Sequence, residues 1–380
     1  MKISDDWLRH PATQAVCQNL ERSGFQALFV GGCVRNTLLN MPVGDIDIAT
    51  DARPEAVIDL SAQAGFKAVP TGIEHGTVTV VSDGLAHEVT TFRRDVETFG
   101  RHATVAFSRD VADDARRRDF TMNALYASRD GTVIDPLGGL PDLFARRVRF
   151  IENAHDRIRE DYLRILRFFR FHAWYGADGL DQDGLAASAT LAEGIAQLSR
   201  ERVGAEMLKL LSAPDPAPAV AAMRECGVLS RTLPGTDDGL LAPLVHLETR
   251  HDSTPDAIRR LATLGGEAIA DRLRLSKAQA RKLAILREEM SGASSAAELG
   301  YRHGAEMARD VLLLRAALAD RDVAADDMAE AAVAETMRFP VSASDLMPDY
   351  EGPALGRKLK ELERRWIASR FTLSRDQLLS

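Results

Sequence analysis

Strand-like alternation runs through the first part of this chain and then stops. Up to about residue 140, short apolar runs alternate with turn residues; beyond it, Ala-, Leu- and Arg-rich patterns of helical period continue to the end. A chain with that change of period folds as α+β, with a small mixed β-sheet in an N-terminal head and helices only after it. The expected divisions are residues 1–145 for the head, 146–212 for a first helical segment and 213–380 for the remaining helices.

Within the head, residues 11–22 read as a helix closed by Gly24. Residues 26–30 (QALFV) form a short buried strand, and Gly31-Gly32 turns it into a helix over 34–39. Residues 45–50 (DIDIAT) alternate polar and apolar as a half-buried strand does. Pro54 opens a helix reaching residue 64, and Gly65 ends it. TVTVVS and LAHEVTTF read as two strands joined by Asp83-Gly84, a hairpin turn. The polar stretch 93–107 reads as a mobile loop, and 131–135 as a last short strand. Residues 156–175 read as one strong helix.

Composition sets outer bounds. The chain has 380 residues, room for two or three domains, with 45% hydrophobic and 27% charged residues as in ordinary globular proteins. Cys17, Cys33 and Cys226 are far apart and have neither metal-ligand nor redox spacing, so a reducing cytoplasm is expected. MKISDDWLRH lacks the apolar core of a secretory signal, and no stretch approaches the ~20 apolar residues that span a bilayer, so no membrane partner is expected. The net charge of −8 describes the whole surface and speaks weakly against nucleic acid. Binding depends on local patches, however, and Arg116, Arg117, Arg118, Arg164, Arg167 and Arg170 crowd one region.

Three patterns in and beside the head carry chemistry. Asp45 and Asp47 stand two apart on an expected strand, which would put both carboxylates on one face with Cα atoms roughly 7 Å apart. Facing carboxylates repel unless a cation lies between them, and Mg²⁺ suits an all-oxygen site completed by water and phosphates. A lone D-x-D also occurs on solvated strand edges. Its neighbours make the difference here: strand, Gly31-Gly32, then Arg35 at a helix start set free backbone N–H groups beside a cation, a phosphate cradle. Glu88, on the second hairpin strand, would be a third carboxylate if that strand runs beside Asp45 and Asp47; it could equally pair with an arginine across the sheet.

Two arginine-rich segments follow. Residues 114–125 (DARRRDFTMNAL) offer guanidinium forks suited to phosphate and ribose oxygens, or to packing against acids. In residues 160–170 (EDYLRILRFFR), steps of three make neighbours touch on a helix. Asp161 and Arg164 would then act as a pair, with Arg167 and Arg170 reaching phosphates further round. Asp accepts from the amino group of cytosine or adenine and Arg donates to ring acceptors, so such a pair could choose C or A without a template. The same spacing also suits an ordinary salt bridge.

These motifs, in this order, resemble the class II tRNA nucleotidyltransferases, the CCA-adding enzymes, and the bacterial poly(A) polymerases that share their head. The matching segments are LFVGGCVRNTLL (28–39), DIDIAT (45–50), HEVTTFR (87–93), RRDFTMNAL (117–125), DPLGGLPDL (135–143), EDYLRILRFFRF (160–171) and, later, SRERVGAEMLKLL (199–211). The resemblance implies a nucleotidyltransferase head, a helical neck bearing the nucleotide-selecting helix, and an RNA-binding body and tail. It implies that CTP and ATP are added to tRNA with Mg²⁺ held by Asp45 and Asp47. It further implies triphosphate contacts from Gly31, Gly32 and Arg35, a nucleotide pocket including Arg118 and Asp119, base reading by Asp161 and Arg164, and support from Arg167 and Arg170. Arg101 and His102, in the 93–107 loop, would help switch the pocket from C to A. Asn36 and Phe99 depart from the family pattern. Rival readings are polyadenylation, addition of C alone or A alone, and a non-catalytic RNA-binding protein. The last would be expected to have lost Asp45 or Asp47, and both are present. His246 and the His251-Asp252 pair suggest a metal phosphohydrolase, but the further upstream His such a site needs is missing.

Overall fold

The computed structural model describes residues 1–99 and 102–380, with side chains described outside 95–105. It contains two compact units, Met1–Thr232 and Leu233–Ser380.

The first unit is built on a seven-stranded sheet in the order β3-β4-β5-β2-β1-β8-β9. Its strands are β1 (Ala27–Val30), β2 (Asp47–Thr50), β3 (Lys67–Gly72), β4 (Thr77–Ser82), β5 (Leu85–Thr91), β8 (Tyr126–Ser128) and β9 (Val133–Ile134). The β2–β5 pair is parallel and every other pair is antiparallel, so the sheet is mixed as expected. Asp83 and Gly84, both at positive φ, make the tight turn between β4 and β5. Residues 93–107 are not a loop: β6 (Arg93–Phe99) and β7 (His102–Phe107) pair as a separate antiparallel hairpin. Arg101 lies outside the described residues, and Phe99 and His102 are described only in their backbone.

Helices cover both faces. Pro11–Arg22 (α1) packs on β1 and β4, and Pro54–Gln63 (α3) on β3 and β4; between them in sequence comes Gly32–Leu38 (α2). Across the sheet, Leu28, Val30 and Ala49 join Phe92, Ala115 and Tyr126 in one buried cluster, reached by Val111 at the start of α4 (Val111–Arg116). Period two explains the split. Phe29 faces the other way, where the Trp7 ring meets it edge-on at 5.0 Å.

The expected single helix over 156–175 is two, α5 (Ala154–Glu160) and α6 (Leu163–Tyr175). Asp161 sits between them in extended conformation, φ −155 and ψ 106. Helix α6 buries Ile165, Leu166, Phe168, Phe169 and Phe171, and its arginines at steps of three emerge at the edge of that stripe. Phe120, Phe150, Phe168 and Phe171 interlock and tie α6 to the head. Helix α7 (Arg200–Leu211), capped by Ser199, packs along α6.

The second unit is helical. Glu248, Arg259, Arg260 and Asp310 are buried in it as mutually paired charges, with Lys282 at their edge. Farther along, Trp366 gathers Tyr301, Phe339 and Phe371 around it. No helix among the described residues is long and apolar enough to cross a membrane.

Candidate active site

The carboxylates meet through sheet pairing. Asp47 opens β2 and stands opposite Glu88 of β5 in the parallel register, so both side chains leave the same face. Asp45 is exposed and lies ahead of β2, not on it. Strand period therefore does not align it with Asp47; its closeness comes from the connecting chain. Burial and the neighbouring Glu88 push the Asp47 carboxyl up to about 6, with Asp45 adding to the rise and Arg118 opposing it. Among the described residues no three His, Cys, Asp or Glu side chains lie close enough to form a ready-made cation cage. A surplus of negative charge on an oxygen-only pair still fits Mg²⁺, which takes one or two carboxylates and completes its shell from water and phosphate.

The glycine turn lies beside this pair. Gly31 has φ +70 and ψ −118, a backbone shape that costs glycine little. A Cβ there would come 3.5 Å from Nη1 of Arg118. Arg118 is aimed by a buried acid: its Nη2 donates to Asp114 at 3.0 Å and its Nε to the Tyr126 hydroxyl at 3.2 Å. Asp114 also accepts from the Tyr126 hydroxyl at 2.7 Å and pairs with Arg117 at 2.6 Å. Burial works to raise the Asp114 carboxyl, but the two guanidiniums and the phenol outweigh it and hold it at about 2.

Arg35 differs from its expected role. It is buried, with every guanidinium nitrogen engaged: Nη1 donates to Asn123 at 2.5 Å, Nη2 to the Tyr175 hydroxyl at 2.8 Å, and Nε to Asn36 at 3.1 Å. The guanidinium also stacks 4.0 Å from the Tyr175 ring centre. Arg35 thus braces the floor of the site and does not present its fork to a phosphate.

Asp119 continues the same network. One oxygen accepts from Asn123 at 2.9 Å, the other from Arg167 Nε at 2.7 Å. Burial opposes its ionisation, yet Arg167 and Asn123 hold the carboxyl at about 2. Glu206 of α7 accepts from Arg170 Nε at 2.6 Å and lies 3.9 Å from Arg167 Nη1. Asp161 and Arg164 do not pair with each other. Asp161 accepts from Arg202 Nη2 at 2.6 Å, while Arg164 bonds Glu160 at 2.5 Å and the Arg117 carbonyl at 3.0 Å. The helix break at Asp161 is the reason, since the i,i+3 geometry needs one continuous helix.

The structure thus joins Asp47, Glu88, Gly31 and Arg118 at the sheet, and links Arg35, Asp119, Arg167 and Arg170 behind them. Sequence reasoning gave no site role to Asp114 and Asn123 within the 114–125 segment, to Tyr175, or to the α7 pair Arg202 and Glu206. The signal for the last two was present as opposite charges one helical turn apart. His251, in the second unit, lies 2.7 Å from Asp322, which also binds Arg250, an ordinary polar pairing.

A family model described as the poly A polymerase head domain matches residues 27–149, and one described as a probable RNA and SrmB-binding site of polymerase A matches 179–240. The CCA-adding enzyme of Geobacillus thermodenitrificans (strain NG80-2) is 43% identical over 232 residues, 60% of this chain and 56% of that one. That of Leuconostoc citreum (strain KM20) is 39% identical over 237 residues, 62% of this chain and 57% of that one. Over its first half the chain is thus similar to the poly A polymerase head and to CCA-adding enzymes. Its match spans about half the length of these curated relatives. The crystal structure of the Bacillus stearothermophilus CCA-adding enzyme in complex with CTP superposes with a TM-score of 0.72 at 28% identity, covering 94% of this chain and 92% of that one. The Thermotoga maritima CCA-adding enzyme complexed with tRNA shares the fold, with a TM-score of 0.70 at 16% identity over 100% of this chain and 98% of that one.

Proposed function

We propose that this chain is a template-independent tRNA nucleotidyltransferase that builds CCA on tRNA 3′ ends from CTP and ATP, releasing pyrophosphate, in the cytoplasm. The observation that carries the reading is the Asp47–Glu88 pair, side by side in parallel register with Arg118 as its nearby cation. Similarity to CCA-adding enzymes supports it, as does the likeness to one solved in complex with CTP.

In this reading residues 1–145 are the catalytic head, 146–212 the selecting neck, and 213–380 the RNA-binding body and tail. Asp45 and Asp47 would hold Mg²⁺, with Glu88 as the neighbouring catalytic carboxylate. When bound, two such ions lower the pKa of the tRNA 3′-hydroxyl and offset charge on the leaving pyrophosphate. The Gly31 N–H is already given to the Leu125 carbonyl, so Gly31 shapes the turn while the Gly32 N–H at the helix start meets phosphate oxygens, and Arg118, fixed by Asp114, adds a cation where the triphosphate lies. Arg35 and Asp119 position these groups from below. Asp161 accepts from the amino group of C or A, Arg164 donates to a ring acceptor, and Arg167 and Arg170 support the nucleotide.

Single-nucleotide extension tests this. Purified protein with Mg²⁺ receives tRNA transcripts ending before CCA, after C and after CC, each with CTP, ATP or both. Growth that stops at CCA is expected, and Asp47→Ala should abolish it while leaving tRNA binding intact. Long A tracts would mark a poly(A) polymerase. A stop at CC, or addition of the last A only, would mark one member of a split pair, and no extension would leave an RNA-binding protein.

A further inference from the structure

We infer that one face of α7 aligns the nucleotide-selecting groups, with Arg202 as the positioning residue that aims Asp161 at the incoming base. The inference rests on the nucleotidyltransferase reading above and adds a specificity determinant to it.

Asp161 cannot be aimed by helix geometry, because it interrupts the helices with φ −155 and ψ 106. Two hydrogen bonds hold its carboxylate instead. Oδ1 accepts from the Leu163 backbone N–H at 3.1 Å, and Oδ2 from Arg202 Nη2 at 2.6 Å. The two side chains are 23% and 22% exposed, so this ion pair is shielded more than a surface pair and can fix a rotamer. Arg164, the other reading group, is held separately by Glu160 and by the Arg117 and Arg157 carbonyls. Acceptor and donor therefore reach the base as independently clamped units. Arg202 and Glu206 are one turn apart on α7, so they share a face. Arg202 takes the base-reading acid, and Glu206, itself buried, takes Arg170 and faces Arg167.

The chemistry of selection explains what the clamp does. A carboxylate fixed at the base edge accepts from the amino group of cytosine or adenine and repels the carbonyl oxygen that uracil or guanine offers there. A carboxylate free to rotate swings away from the wrong base at little cost, and the rejection is lost. Arg202 supports choice by denying Asp161 that freedom.

The test compares full-length wild type, Arg202→Met, Arg202→Lys and Glu206→Gln in single additions. CTP is set against UTP on tRNA ending before CCA, and ATP against GTP on tRNA ending in CC. Arg202→Met should lower both ratios of kcat/KM by about tenfold, the scale on which one base-reading side chain discriminates, with Arg202→Lys intermediate. Glu206→Gln should raise KM for all four nucleotides while leaving the ratios unchanged, since it acts through Arg167 and Arg170. Equal losses for all nucleotides in both Arg202 variants, with unchanged ratios, would reduce Arg202 to a structural brace and overturn the inference. Should Arg202→Met fold poorly, as its melting curve would show, Arg202→Lys keeps the charge and decides alone: a wild-type ratio rejects the clamp. Wild type that extends no tRNA would overturn the nucleotidyltransferase reading, and this inference with it.

Discussion

At Asp47, burial and the adjacent Glu88 lift the carboxyl from 3.8 to about 6. The folded carboxyl thus holds its proton where the unfolded one has released it. Between about pH 4 and 6 the folded chain binds more protons, so this group's effect in metal-free protein is a stability that falls as pH rises through that window. Asp47→Asn removes the charge. In chelator, the variant should melt above wild type at pH 7 and level with it at pH 4, as followed by circular dichroism. Equal melting temperatures at both values would show that the Asp47 carboxylate is not strained. Asp47 and Glu88 were both legible in the sequence, from the D-x-D pattern and the strand alternation around HEVTTF. Arg35 was legible as a cation at a helix start but not as a buried one. Its partners Asn123 and Tyr175 come from distant parts of the chain, and spacing along a sequence says nothing about which donors a fold will consume.

Between residues 160 and 163 the amphipathic pattern is unbroken, so the sequence reads as one helix where two form. Local bonds and a distant neighbour make the break. The Asp161 side chain accepts from the Leu163 N–H, and the Tyr162 ring lies over Gly194 so closely that a Cβ there would come 2.0 Å from Cδ1. Gly194→Ala should therefore push Tyr162 aside, costing about 1–3 kcal/mol as overpacking does. It should also disturb nucleotide choice through the neighbouring Asp161. Thermal melting and the CTP-to-UTP ratio check this together; wild-type values of both would show that the junction yields easily. The β6–β7 hairpin is hidden in the sequence for a related reason. Its bulge between Asp95 and Glu97 interrupts the alternation by which a strand is recognised. Elements with clean signals, such as α1 closed at Gly24 and the Asp83-Gly84 turn, fold as they read.

On the scale of the whole chain, the sequence marks where strands cease, near residue 140, whereas the compact units divide after Thr232. The period of a pattern reports local structure; which helices pack onto the head is decided by tertiary packing such as the phenylalanine cluster of α6. Every candidate site residue lies in the first unit. Residues 1–232 should accordingly fold alone and bind CTP with Mg²⁺, while tRNA affinity falls. In a salt titration, the slope of log K against log salt should be shallower for the fragment than for the full chain, by about 0.7–0.9 for each phosphate that the second unit neutralises. Identical slopes would assign all phosphate binding to the first unit.

The outermost strand β3 bears on how these molecules behave when crowded. One side of it pairs with β4, and its other side ends the sheet, offering backbone groups to any passing strand. Exposed Lys67 places a charge there, Pro70 lacks an N–H to offer, and the irregular register between Val69 and Gly72 bends the row out of line. A second molecule therefore finds no flat template to extend, and the sheet that sets the carboxylates side by side stays finite at high concentration.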